Sequence, residues 1–139
     1  MGYDLHVTRA IWDYESPRFP ILDDEVVAAV RAAADLVVPE DAPRRPGFCY
    51  VFWAGSASEE YLLFQDGRLS TKNPEDAFVR RMTELAGELD AWVIGQDAEL
   101  YDWDGTSVVR RWRGREAYAR RKRLGIRPGG PSRSSTTRT

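Results

Sequence analysis

The stretch Tyr61-Leu62-Leu63-Phe64-Gln65-Asp66-Gly67-Arg68-Leu69-Ser70-Thr71-Lys72-Asn73-Pro74-Glu75-Asp76 decides the fold class. Residues 61–65 form a short apolar and aromatic run, Asp66-Gly67 is the two-residue signal of a tight hairpin, and residues 68–71 return. Asn73 then offers a helix cap and Pro74 suits a first helical position. Glu75 and Asp76 add the acidic first turn that complements a helix dipole. Phe78, Met82, Leu85, Ala86 and Leu89 follow as one apolar stripe at helical spacing. A hairpin that feeds directly into an amphipathic helix points to α+β rather than to alternating parallel units.

Working outward, residues 48–53 (Phe-Cys-Tyr-Val-Phe-Trp) read as a central strand, and residues 55–58 as a turn. Residues 3–9 alternate, with Tyr3, Leu5 and Val7 on one side and Asp4, His6 and Thr8 on the other, which predicts a half-buried strand. Pro17 and Pro20 mark a loop. Asp23 is a candidate cap for a helix whose apolar positions are Val26, Val30, Ala33 and Val37, stopped by Pro39. Beyond the second helix, residues 91–95 and 99–103 predict a hairpin, and residues 108–112 a last short strand. The order is β-α-β-β-β-α-β-β. It predicts a mainly antiparallel sheet with two helices packed on one face.

At 139 residues the chain suits one domain with its own core. The net charge of −2 conceals a segregation: residues 1–109 carry nine basic and 21 acidic side chains, whereas residues 110–139 carry eleven basic and one acidic. The division predicted is an acidic α+β domain over 1–112 and a basic tail over 113–139, helical around 114–124 and disordered from Pro128. A single cysteine, Cys49, excludes an internal disulfide and a zinc site. No apolar run approaches the ~18 residues of a membrane span. No basic segment followed by an apolar stretch opens the chain, and a cytoplasmic protein is expected. Walker, Rossmann, nucleophile-elbow and zinc-ligand patterns are all missing, so no cofactor or metal is expected.

Three ordered blocks carry a resemblance: Tyr3-Asp4-Leu5-His6-Val7-Thr8-Arg9-Ala10 with Trp12; Asp66-Gly67-Arg68-Leu69-Ser70-Thr71-Lys72-Asn73-Pro74; and Ala91, Val93, Gly95, Glu99 and Tyr101. Together they resemble a family of small uncharacterised bacterial proteins with a YDLHITRA start, a DG-x-I-x-TKNP hairpin and an A-x-V-x-GDDGE-x-Y hairpin. The resemblance spans roughly residues 3–103 and leaves the basic tail outside. By analogy the family is similar in character to the small acidic immunity proteins of bacterial toxin systems. Gln96-Asp97-Ala98 departs from the Asp-Asp-Gly of the family, which predicts a different shape at that hairpin tip.

The chemistry-bearing residues support three readings. Asp97, Glu99, Asp102 and Asp104, with Trp103 as an aromatic anchor, would form an acidic surface for a protein partner with a basic surface. Their spacing does not fit a calcium loop. This gives the leading expectation, a non-enzymatic protein-binding module of the immunity type that neutralises a basic toxin. Asp4 beside His6, the only histidine, with Lys72 or Tyr101 as acid or electrophilic partner, would instead be the machinery of a small enzyme. The plainer reading of His6 is a structural histidine. Lys72 and Asn73 would either cap a helix or hold an anion at its N-terminus. Finally, Arg110, Arg111, Arg113, Arg115, Arg120, Arg121, Lys122 and Arg123, interleaved with Trp112 and Tyr118, would let the tail bind nucleic acid.

Overall fold

The computed structural model describes residues 3–55 and 59–111. The expected tail helix and disordered end lie outside the described residues. Among those residues the elements are β1 (Asp4–Thr8), a 3-10 turn (Asp13–Arg18), α1 (Asp23–Ala32), β2 (Leu36–Val37), β3 (Cys49–Trp53), β4 (Tyr61–Gln65), β5 (Arg68–Lys72), α2 (Asp76–Glu88), β6 (Trp92–Ile94), β7 (Leu100–Trp103) and β8 (Val108–Arg111). The strands form one sheet in the order β2-β3-β4-β5-β1-β6-β7-β8. Every pairing is antiparallel. The fold is α+β, as the hairpin-then-helix pattern predicts.

Register explains which side chains are inside. Val7 stands opposite Leu69 and Val93, Leu69 opposite Phe64, Phe64 opposite Cys49, and Val51 opposite Leu62. One face of the sheet is thus an apolar floor. Both helices close over it: α1 contributes Val26, and α2 contributes Phe78, Val79, Met82, Leu85 and Ala86, all buried in a single cluster. The predicted stripe on α2 is the buried stripe. The Asp66-Gly67 turn forms with both residues at positive φ, 54° and 78°. At Gly67 a Cβ would also come within 2.8 Å of Pro20 Cα and Ser16 O, so only glycine lets the hairpin dock under the Pro17–Pro20 loop.

Several expectations are corrected. Strand β1 is not half-buried. His6 and Thr8 are as enclosed as Leu5 and Val7, because the 3-10 turn folds back over their face and Thr8 Oγ1 meets Ser16 Oγ at 2.7 Å. The first helix ends at Ala32, not at Pro39. Leu36 and Val37 leave it to pair with Trp53 and Phe52 as β2, an edge that makes β3 the second strand rather than a central one. The cap of α1 is Leu22, not Asp23, and its N–H donates to the Glu25 carboxylate at 2.8 Å. Asn73 does not cap α2. It sits at φ 51°, three residues before the helix, and its side-chain oxygen accepts the N–H of Tyr3.

Arg9 joins the pieces. Its buried guanidinium meets both oxygens of Glu25 at 2.8 and 2.6 Å. It also donates twice to the carbonyl of Leu89, at 2.8 and 2.6 Å, and once to that of Pro20. Leu89 is the C-cap of α2, so a cation satisfies a carbonyl that the helix itself leaves unpaired, at the negative end of the dipole. Replacing Arg9 with Met should lower unfolding free energy by about 3 kcal/mol, toward the lower end for breaking a buried pair, because Glu25 is a third exposed and can take up water. Urea unfolding measures this, and a loss under 1 kcal/mol would mean that the linkage is incidental.

Candidate functional site

The four residues of the enzymatic reading separate into three environments. His6 is enclosed beneath the 3-10 turn, with Nδ1 2.6 Å from Ser70 Oγ and Nε2 3.6 Å from Asp13 Oδ2. Burial lowers its pKa below the ordinary value, against the pull of the Asp13 carboxylate. Arg68, nearby, donates to the carbonyl of Asp13, and its Nε is the one buried side-chain polar atom among the described residues without a partner. This is a polar layer that closes one face of β1. Lys72 projects into solvent 4.0 Å from Asp4, and the N-terminus of α2 beyond it receives the carboxylate of Glu60 on the N–H of Glu75. The protein's own acid therefore takes up an N–H at this helix start, the kind of group that the anion-holding alternative for Lys72 and Asn73 would have used.

Asp4 and Tyr101 do share a site. With Tyr3, Gln96, Asp97, Glu99 and Arg110 they line an open pocket of about 370 Å³ where β1 begins beside the β6–β7 turn. His6 is not among the lining residues. Glu99 is the pivot of this pocket. Its carboxylate turns inward, accepting the N–H of Asp97 at 2.9 Å and the hydroxyl of Tyr101 at 3.1 Å. A Cβ at Gly95 would collide with it, so glycine there makes room for the buried acid. Burial and the bond to Glu99 raise the pKa of Tyr101, so its hydroxyl stays protonated. Ala98 takes the left-handed region at φ 62°, and the hairpin tip holds that conformation without glycine.

The remaining acids do not join them. Asp102 pairs with Arg111 at 3.5 Å, and Trp103 lies under Arg80 at 5.0 Å from the ring centre. Asp104, at the far end of β7, accepts the N–H groups of Thr106 and Ser107, which hold its carboxyl below the usual range. The predicted acidic surface is thus divided between the two ends of one strand. No cluster of His, Cys, Asp and Glu among the described residues could hold a metal. Arg110 and Arg111 lie on β8, and the other basic residues of the nucleic-acid reading, 113–123, lie outside the described residues.

The surface most distinctive in its chemistry is one the sequence reading passed over. Tyr50 stands opposite Leu63, Phe52 opposite Tyr61, and Val37 opposite Phe52, all on the sheet face away from the helices. The 3-10 turn covers that face at β1 and β5. At β2, β3 and β4 the rings meet each other: Tyr50 and Tyr61 at 5.5 Å, Phe52 and Tyr61 at 5.1 Å, and Phe48 edge-on to Tyr50 at 5.7 Å. Tyr61 and Val37 remain 42% and 47% exposed. The signal available was that the β3 and β4 segments are apolar at both parities, so that one of their two faces would present apolar side chains away from the helices.

No family model, curated protein or solved structure matches this chain. The buried histidine makes its own prediction. Below pH 6.5 the unfolded chain binds a proton that enclosed His6 resists, so stability falls as pH drops through 6.5 and levels off below the folded pKa. As the only histidine, His6 accounts for this slope. Comparing urea midpoints at pH 7.5 and pH 5.5 should show the wild type losing stability and His6→Gln, though weaker at both pH values, losing much less. Equal slopes would remove His6 as the cause.

Proposed function

We propose that the protein is a binding module for a basic protein, of the immunity type, and that the aromatic face of β2, β3 and β4 is its contact surface. The observation that carries this reading is the ladder of Val37, Phe52, Tyr61 and Tyr50, in which Val37 and Tyr61 are exposed and Phe52 and Tyr50 half-buried. Exposed aromatic side chains gathered on rigid strands are what interface hot spots are made of: large apolar area, few rotatable bonds and a polar tip. In the folded body these rings stabilise little beyond one another, whereas burial under a partner would remove a contiguous apolar surface from water.

The charge supports the same partner. With 21 acids against nine basic residues over positions 1–109, the body attracts cationic proteins at long range, and Glu59 and Glu60 lead directly into β4. The acidic pocket of Asp4, Asp97 and Glu99 offers a second, smaller feature of the same sign. The aromatic ladder would supply the binding energy, and the charge would supply speed and selection. In this reading the chain belongs with the family whose three blocks it resembles and shields a basic toxin by covering it.

The test is titration of the full chain with the product of the neighbouring gene, at low and at high salt. A one-to-one complex that weakens with salt is expected. Tyr61→Asp and Val37→Asp should each weaken it by about 2 kcal/mol, roughly thirtyfold, while stability falls by about 1 kcal/mol or less from the lost cross-strand contacts, well short of unfolding. Absence of a complex at low salt would end the neutraliser reading. A complex indifferent to both substitutions would move the interface elsewhere.

A further inference from the structure

A second feature lies on the helix side of the same sheet edge, where Val37 and Phe48 border both it and the aromatic ladder. A groove of about 700 Å³ runs between α1 and the β2–β3 edge. Its walls are apolar: Val26, Val27 and Val30 from α1, Leu36 and Val38 around β2, and Phe48 and Cys49 at the start of β3. Val26, Leu36 and Cys49 also belong to the core, so the floor of the groove is the outer surface of the core itself. Val27 is 41% exposed, although it lies on a helix that turns its other valines inward. The volume falls within the range of sites that enclose small ligands, roughly 300–1,000 Å³.

The polar lining has one dominant sign. Arg31 from the last turn of α1, with Arg44 and Arg45 from the loop before β3, stand against a single acid, Asp23. None of these three arginines takes part in an ion pair among the described residues, and neither do Arg18 and Arg68, whereas Arg9, Arg80 and Arg81 do. The loop that holds two of them is a formed structure. Arg45 and Phe48 exchange backbone hydrogen bonds at 3.0 and 2.9 Å across a Pro46-Gly47 turn, with Gly47 at φ 78°. The N–H of Gly47 reaches Asp23 Oδ1 at 3.3 Å, which ties the turn to the first residue of α1 and engages the only acid on the rim. The guanidinium of Arg45 lies 4.1 Å above the Phe48 ring, which leaves its N–H edges free to meet an anion.

We propose that this groove binds a single-chain aliphatic carboxylate, with the hydrocarbon laid along the valines, Leu36 and Phe48 and the carboxylate held by Arg44 and Arg45 at the end where the Pro46-Gly47 turn meets Asp23. An apolar trough with two adjacent cations, Arg44 and Arg45, at one end matches an amphiphile with an anionic end. A neutral tail would leave the arginines unused, and a cationic one would be repelled. Cys49, the only cysteine of the chain, lines the trough and reports on its occupancy.

The experiment uses the full chain with laurate below its micellar range, read by calorimetry and by the rate at which N-ethylmaleimide modifies Cys49. Saturable one-to-one binding is expected, with modification of Cys49 slowed in proportion to occupancy. Dodecyltrimethylammonium, with the same tail and the opposite charge, should bind about tenfold more weakly or worse, the worth of one charge-assisted contact. The combined variant Arg44→Gln, Arg45→Gln should lose laurate affinity by at least the same factor with its thermal midpoint unchanged, because both side chains are exposed. Several outcomes would overturn the proposal: no laurate binding, equal affinity in the arginine variant, or binding that leaves Cys49 unprotected. An acidic helical peptide that protects Cys49 where laurate does not would also overturn it, by assigning the groove to a protein.

Discussion

The fold depends on a buried cation that cannot be left without partners. Arg9 leaves β1 with its guanidinium enclosed at 3% exposure, and an isolated charge there would be strongly unfavourable. Its partners therefore define the architecture. Glu25 lies in the first turn of α1, Leu89 ends α2, and Pro20 belongs to the loop between β1 and α1. Glu25 Oε1 also receives the N–H of Leu22, so the carboxylate that neutralises Arg9 is the one that starts α1. One side chain thus brings the beginning of one helix to the end of the other. A second linkage works in parallel. Asp35, just after α1, accepts Arg81 of α2 through both oxygens and the indole N–H of Trp53. The bond from Arg81 holds the carboxyl of Asp35 below its usual range.

The consequence is asymmetry. Both linkages draw helices to one face, and among the described residues the opposite face is covered by the Asp13–Arg18 turn. That turn is long enough to cover β1 and β5, where it converts His6, Thr8 and Ser70 into a satisfied polar layer. It does not extend to β3 and β4. Among the described residues, the aromatic rings there lie on a part of the eight-stranded sheet that no helix covers. Function is therefore best sought where the fold leaves apolar surface uncovered, and only secondarily where titratable residues occur.

The parts of this arrangement that were legible in sequence are those whose signals are local. The Tyr61–Lys72 hairpin carries its own turn residues, and the stripe of α2 repeats within thirteen residues. The errors arose where a distant partner decided the outcome. His6 and Thr8 look like an exposed polar face until Ser16, eight residues after Thr8, covers them. Val37 has helical spacing from Val30 and Ala33, but a strand edge at Phe52 takes it instead. Glu99 looks like one member of an acidic patch, and only the absence of a side chain at Gly95 lets it turn inward. Arg9 gave no signal at all, since a basic residue at the end of a strand is ordinary until its five hydrogen bonds are seen.

The charge of the body takes on a different meaning once its acids are placed. Glu25, Asp35, Glu60, Glu99 and Asp104 hold arginines, cap helices or shape turns. Their negative charge contributes to the long-range field without forming a patch, so an acidic composition does not by itself locate an acidic binding site. The arginines divide in the same accounting. Arg9, Arg80 and Arg81 meet carboxylates, and Arg18 and Arg68 do not. Nor do Arg31, Arg44 and Arg45, although Asp23 lines the same groove; its carboxylate is directed to the backbone of Gly47. Cations kept apart from abundant counter-charge, above an apolar trough, are an arrangement that stabilises the folded chain little and an anionic ligand considerably.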